Sequence, residues 1–186
     1  YADWLAREAE RDQSGNIVGL IQQLIELIVK GLGNDNTSAA CALSLRNICD
    51  SCGRFLVAGS NGAVFMEQML ELYRQAQSHG DLSSASNGYN AVGSTILDEE
   101  DVENILEGIT MVVKHLPPDS KRDKVHHMID SVVQPIQMVL EKASSVVAVN
   151  GGLAGNAPSE SLVVLPLFER VVTILRNVND VDDVAS

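Results

Sequence analysis

Three cysteines, a histidine pair, a glycine cluster and an acidic run are the features of this chain whose residue types and spacing could support chemistry. Cys49 and Cys52 have the C-x-x-C spacing of metal sites and redox dithiols. A structural zinc site needs a second ligand pair, and the sequence offers none beside it. With Cys41, the pair instead extends an apolar helical stripe, so the three thiols are expected to be buried packing residues between repeats. An odd cysteine count builds no disulfide framework and fits a reducing compartment. His126 and His127 are adjacent, about 100° apart on a helix, and cannot form the i, i+4 zinc clamp; they are expected on the surface. Gly151-Gly152-Leu153-Ala154-Gly155 matches no phosphate-binding fingerprint and reads as a loop. Asn36-Thr37-Ser38 has the form of a glycosylation sequon and is expected to act as a helix cap. No nucleophile, base and orienting group assemble from spacing, so neither catalysis nor a cofactor is expected.

The acidic run carries the stronger signal. Asp98, Glu99, Glu100, Asp101, Glu103 and Glu107 fall in one short stretch that contains no Lys or Arg. At a helix N-terminus, Asp98 to Asp101 cap the helix and satisfy its dipole. Glu103 and Glu107 lie beyond that effect, spaced i, i+4, where like charges mildly destabilise an isolated helix. They point to an acidic face for a basic protein partner. The whole chain agrees in sign: 25 Asp and Glu against 13 Lys and Arg give a net charge of −12 over 186 residues. Such a balance argues against nucleic-acid backbones and anionic membranes as partners, since both need clustered cations.

Helices must position these residues, because apolar residues recur at i, i+3, i+4 and i+7 almost throughout. Seven are expected, at about 1–12, 17–32, 36–53, 63–77, 98–113, 121–143 and 159–177. Aromatics are only 4% of the chain, so the core is aliphatic. Asn36 is the candidate cap of the third helix. Asp98 caps the fifth, with Leu97 stapled onto Val102. Pro117-Pro118 stops the fifth helix, and Ser120 with Asp123 forms a capping pattern for the sixth. Pro135 should kink the sixth helix, and it is a candidate inter-repeat residue. The seventh, bent near Pro166, is expected to offer Leu165, Phe168, Val172, Leu175 and Val178 to the core. Arg46, inside an otherwise small and apolar helix, is expected to hydrogen-bond between repeats. Residues 78–95 and 150–158 read as loops; 145–149 and 162–165 have a weaker strand alternative. No segment reaches the roughly 18 unbroken apolar residues of a membrane span. The start at Tyr1, with neither a basic n-region nor an apolar run, suggests a piece of something longer.

The expected fold is therefore all-α. The second and fourth helices start about 46 residues apart, within the period of roughly 40–47 residues of HEAT and armadillo arrays. Their neighbour-only contacts tolerate long loops. A compact bundle is the alternative. Expected boundaries are a trailing helix of a preceding repeat at 1–14, repeats at 15–58, 59–117 and 118–179, and an acidic tail at 180–186 containing Asp180, Asp182 and Asp183.

Residues Ser38 to Cys52, reading SAACALSLRNICDSC, with Val29-Lys30-Gly31-Leu32 before them, resemble the central repeats of the transportin-SR branch of the importin-beta (karyopherin-beta) superfamily. Importin-thirteen is a similar relative. The resemblance continues through Ile105 to Ile109, His115 to Pro117 and Phe168 to Arg176, covering most of residues 17–179. It implies a fragment of a longer HEAT-repeat α-solenoid, with A helices outside and B helices lining the concave side. The first, third, fifth and seventh helices would be B helices. The acidic fifth helix would then face the side holding protein cargo and Ran-GTP. Family behaviour implies uptake of Ser/Arg-rich splicing proteins in the cytoplasm, passage past nucleoporins and release in the nucleus by Ran-GTP. The principal Ran-binding repeats of the superfamily are N-terminal and its Arg-rich cargo helix is C-terminal, so no cargo-contact residue carries over. The alternative is a HEAT or armadillo-type scaffold subunit with no nucleotide-dependent release.

Overall fold

The computed structural model describes residues 1–12, 15–58, 62–80, 97–150 and 158–178, with side chains for all of these but 78–80, 139, 142–150 and 158–164. All regular structure among them is helical: α1 (Ala2–Arg11), α2 (Asn16–Leu32), α3 (Ser38–Leu56), α4 (Gly62–Gly80), α5 (Glu99–Val113), α6 (Pro118–Asn150) and α7 (Pro158–Val178). The weaker strand readings at 145–149 and 162–165 fall inside α6 and α7. Residues 78–80 of the loop expected at 78–95 belong to α4, and residues 150 and 158 of the loop expected at 150–158 end α6 and begin α7; the rest of both loops and the expected tail at 180–186 lie outside the described residues.

The odd-numbered helices pack successively, α1 on α3, α3 on α5 and α5 on α7, and within each pair α2 packs on α3, α4 on α5 and α6 on α7. This is the two-layer, neighbour-to-neighbour ladder of a helical-repeat array. We call α1, α3, α5 and α7 the B layer and α2, α4 and α6 the A layer. A bundle would instead converge all its helices on one central axis. The core is accordingly an elongated seam, running from Leu5 and Ile21 through Leu45, Cys49, Met66 and Ile105 to Met128 and Ile174.

Local chemistry sets each turn of the ladder. Gly15 holds φ at +75°, a left-handed conformation that glycine adopts without steric cost, and the Ile17 N–H then donates to Asp12 Oδ2 at 2.7 Å. Between α2 and α3, Thr37 rather than Asn36 is the N-cap. Its hydroxyl does not cap the helix but donates back to the Gly31 carbonyl at 2.7 Å. The Asn36 N–H is already committed to Asn34 Oδ1 at 2.9 Å. Asp98 caps α5 as expected, accepting from the Asp101 N–H at 2.8 Å, and Leu97 and Val102 are both buried beside it. The sixth helix begins three residues earlier than Ser120 and Asp123 suggest. Pro118 occupies its first position, where a missing N–H loses nothing and a φ near −65° is already helical. Helix α6 continues through Pro135, and α7 through Pro166.

The α3–α5 contact is the tightest joint in the B layer, because glycines face it from both sides. A Cβ on Gly108 would lie 3.2 Å from Arg46 Cα; one on Gly53 would lie 3.3 Å from the Met111 carbonyl oxygen and 3.4 Å from Val112 Cα. Side chains at either position would hold the helices apart. The close approach buries Val102, Ile105, Leu106, Ile109, Val112 and Val113 of α5 almost completely. Each such side chain contributes about 1.5–3 kcal/mol, so a charge at Ile105 would break this joint.

One expected face is overturned at four of its five residues, with Val178 alone half-buried against the core. Leu165, Phe168, Val172 and Leu175 of α7 are 43–60% exposed, whereas Leu167, Arg170, Thr173 and Ile174 are buried. Helix α7 turns its mixed face inward because Arg170 and Thr173 find carboxylate partners on α5, which periodicity of apolar residues alone does not register.

Candidate functional site

The expected acidic face can be built residue by residue. On α5, Glu99, Glu103 and Glu107 recur every four residues and form one row along the helix. Helix α7 runs beside that row in the same direction and supplies a complementary one. Arg170 donates through Nη2 to both Glu99 oxygens at 2.7 and 2.8 Å and through Nε to Oε1 at 3.1 Å. Thr173 Oγ1 lies 3.4 Å from Glu103 Oε1, and Arg176 Nη2 is 3.2 Å from Glu107 Oε1. One turn further, Asn177 Nδ2 donates to Thr110 Oγ1 at 3.1 Å, while that hydroxyl donates to the Glu107 carbonyl at 2.7 Å. From the opposite side, the Arg46 guanidinium of α3 forms an ion pair with Glu107, its Nε facing Oε2; the contact is charge pairing, since the buried Nε makes no hydrogen bond and the inter-repeat hydrogen bond expected of Arg46 is not formed through it. Glu107 thus lies between two guanidinium groups on two different helices.

The remaining acids of the run occupy other positions. Asp98 caps α5. Asp101 is buried beneath it at the α3–α5 joint, and burial, with the neighbouring Asp98 charge, pushes its carboxyl above the usual carboxylate range; a hydrogen bond with Ser38 opposes the shift. Glu100 is exposed, and no cation is set against it among the described residues. Glu99 and Glu107 therefore serve the wall of the array, and Glu100 with the outer part of Asp98 is what the helix mouth presents to solvent.

The B layer is laced in the same way at its other joints. Asp3 accepts from Ser51 Oγ at 2.9 Å, Glu10 pairs with Arg54, and Lys114 lies 3.7 Å from Asp50. In the A layer Glu67 pairs with Lys124, which holds the Glu67 carboxyl below its ordinary value. Between α2 and α4 the A layer opens into a groove of about 520 Å³, with Ile25, Val29, Phe65 and Met69 on its floor and Glu26 and Lys30 at its rim.

The cysteines have no chemistry of this kind. All three are free thiols; Cys49 and Cys52 are buried and Cys41 is half-buried, its sulfur packed where Gly31 of α2 leaves room. Burial, with the neighbouring Cys52, pushes the Cys49 thiol up to about 12, and burial, with Asp3, pushes Cys52 up to about 11. Burial thus favours the thiol form of both side chains. His126 and His127 are exposed on α6. Among the described residues, no three metal-ligating side chains converge. Pro135 lies half-buried in α6, away from the carboxylate row.

Arg170, Thr173, Arg176 and Asn177 are the partners that local sequence reasoning misses. The usable signal was the match between two rows: carboxylates four apart on one helix, and polar residues three apart on another.

Comparison with known proteins adds a distant likeness. Over 138 residues the chain is 26% identical to Transportin MOS14 of Arabidopsis thaliana. The match takes in 74% of this chain and 12% of that protein, so the chain spans about an eighth of its relative's length. No family profile matches the chain, and no solved structure matches it. An all-helical, two-layer repeat array that is similar in sequence to a transportin is thus the observation on which a functional reading rests.

Proposed function

We propose that this chain is a segment of a nuclear transport receptor of the importin-beta superfamily, nearest in kind to the transportin-SR branch. The observation that carries the reading is the 138-residue likeness to a transportin, running through a chain whose helices form a repeat ladder. The segment acts by binding rather than by catalysis. In the intact receptor it contributes three joints of a curved wall, with the B layer toward cargo. That receptor would take up Ser/Arg-rich proteins in the cytoplasm, pass nucleoporins and release its cargo to Ran-GTP in the nucleus. The acidic mouth of α5, at Asp98 and Glu100, suits a basic cargo by charge, since fields of opposite sign steer such partners together. Glu103, which faces only the Thr173 hydroxyl, adds to that field, whereas the Glu107 charge is offset by Arg46 and Arg176.

Import into permeabilised cells tests the reading. The full-length protein containing this segment, with Ran and an energy source, is expected to concentrate a fluorescent Ser/Arg-rich domain in nuclei. Binding without accumulation would identify a helical scaffold subunit instead.

A further inference from the structure

We propose that the Glu107 carboxylate is a shared latch joining three successive B-layer helices, so that a change at α3 is felt at α7 across the intervening α5. Arg46 of α3 holds Oε2 and Arg176 of α7 lies at Oε1, so the two guanidinium groups do not compete for one oxygen. The Glu107 side chain is only 14% exposed. Removing one arginine leaves this carboxylate with the other. Removing both leaves a largely desolvated charge with no cation against it among the described residues, and an orphaned buried charge is far more costly than a lost surface pair. Loss of one arginine also relieves its repulsion of the other. Both effects have the same sign: each arginine matters more once its counterpart is gone.

The surrounding geometry supports such a joint. Gly108, the next residue, sets the α5 backbone close against Arg46, and Thr110 receives the Asn177 hydrogen bond one turn on. Glu107 therefore sits where α5 is held on both flanks. The outer arginine is the accessible part, with Arg176 62% exposed against 36% for Arg46. An anionic group drawing Arg176 away would alter the hold on α3, and a group binding Arg46 would alter the hold on α7. Coupling of this kind is reciprocal between the two ends.

Hydrogen exchange of the α7 amides tests the latch. It is measured for the whole chain with Arg46→Gln, Arg176→Gln and both, and again with Glu107→Gln added. The double variant is expected to exchange roughly tenfold faster than the product of the two single effects predicts, which is about 1.4 kcal/mol of coupling. With Glu107→Gln present the excess should shrink to the small part that repulsion between the two arginines alone supplies. A product rule obeyed with Glu107 intact, or an excess undiminished by Glu107→Gln, overturns the proposal. Should the double variant lose its helical circular dichroism, Arg46→Gln alone decides. The guanidinium NMR signal of Arg176, on a helix beyond α5, is then expected to shift, and an unmoved signal overturns the latch.

Discussion

Replacing a helical glycine with alanine has an intrinsic benefit of about 1 kcal/mol, so its sign in this protein is decided by what the new methyl group meets. Gly19 in α2 has nothing within 4 Å of the ideal Cβ position. Gly19→Ala should therefore realise the gain and stabilise the chain by about 0.5–1 kcal/mol. At Gly108 the same methyl would lie 3.2 Å from Arg46 Cα and 3.5 Å from both Arg46 N and Cys49 Cβ. Two of those three atoms are helix backbone and cannot rotate away. At Gly53 it would lie 3.0 Å from His115 Cδ2, 3.3 Å from the Met111 carbonyl oxygen and 3.4 Å from Val112 Cα. Overpacking of this kind costs about 1–3 kcal/mol. Set against the intrinsic gain, Gly108→Ala and Gly53→Ala should each destabilise by up to about 2 kcal/mol. Because one outward movement of α3 from α5 relieves both contacts, the double variant should lose less than the two single losses added together. Urea titration followed by circular dichroism reads all four proteins as shifts of the midpoint at constant m-value. If Gly53→Ala or Gly108→Ala stabilised the chain as Gly19→Ala does, the close α3–α5 joint, and with it the geometry around Glu107, would be refuted.

Three further outcomes follow from the same geometry. The Arg170 side chain is 10% exposed and its partner Glu99 is 52% exposed, so Glu99→Gln, which leaves a buried guanidinium unpaired, should destabilise by about 3 kcal/mol, whereas Arg170→Met, which removes the buried charge, should cost under about 1 kcal/mol; equal losses in chemical denaturation would contradict this asymmetry. His115 is held below its ordinary value of 6.5 by burial first and then by Lys114, Arg54 and Lys121, against the opposing pull of Asp50. Between its folded and unfolded values the unfolded chain binds more protons, so its contribution is complete above about pH 6.5 and is lost as pH falls below it; His115→Gln should flatten that part of the stability profile, and an unchanged slope would show that other groups set it. Maleimide at pH 8 should modify Cys41 before Cys49 and Cys52, because burial keeps the latter pair as thiols; mass spectrometry of the tryptic peptides gives the order, and early labelling at Cys49 would contradict the buried α3 stripe.

Most helices were legible because their signals are local. Apolar periodicity, the Asp98 cap and the Pro117-Pro118 break all act within a few residues, and they locate α5 to within one position at its start. Legibility ended where a residue's environment depends on distant chain. Glu103 and Glu107 read as a repulsive pair without cations because Thr173 and Arg176 lie about 70 residues onward. The same blindness selected the wrong face of α7. Leu165, Phe168, Val172 and Leu175 form the more apolar stripe, yet Arg170 finds a bidentate carboxylate and carries its own face inward with it. A charged residue is ordinarily a surface marker, and only the matching row on α5 reverses that expectation. Gly53 and Gly108 were similarly silent, since a glycine that permits close helix approach looks, in sequence, like one that merely weakens a helix.

The transport reading makes one demand that a scaffold does not: cargo and Ran-GTP must oppose each other, each weakening the other by the same factor. The direct measurement is the affinity of the full-length protein containing this segment for a Ser/Arg-rich cargo domain, taken alone, with Ran-GTP and with Ran-GDP. Cargo affinity is expected to fall at least tenfold with Ran-GTP and to stay unchanged with Ran-GDP, and cargo is expected to lower Ran-GTP affinity equally. Cargo held equally well in all three conditions would contradict the transport reading.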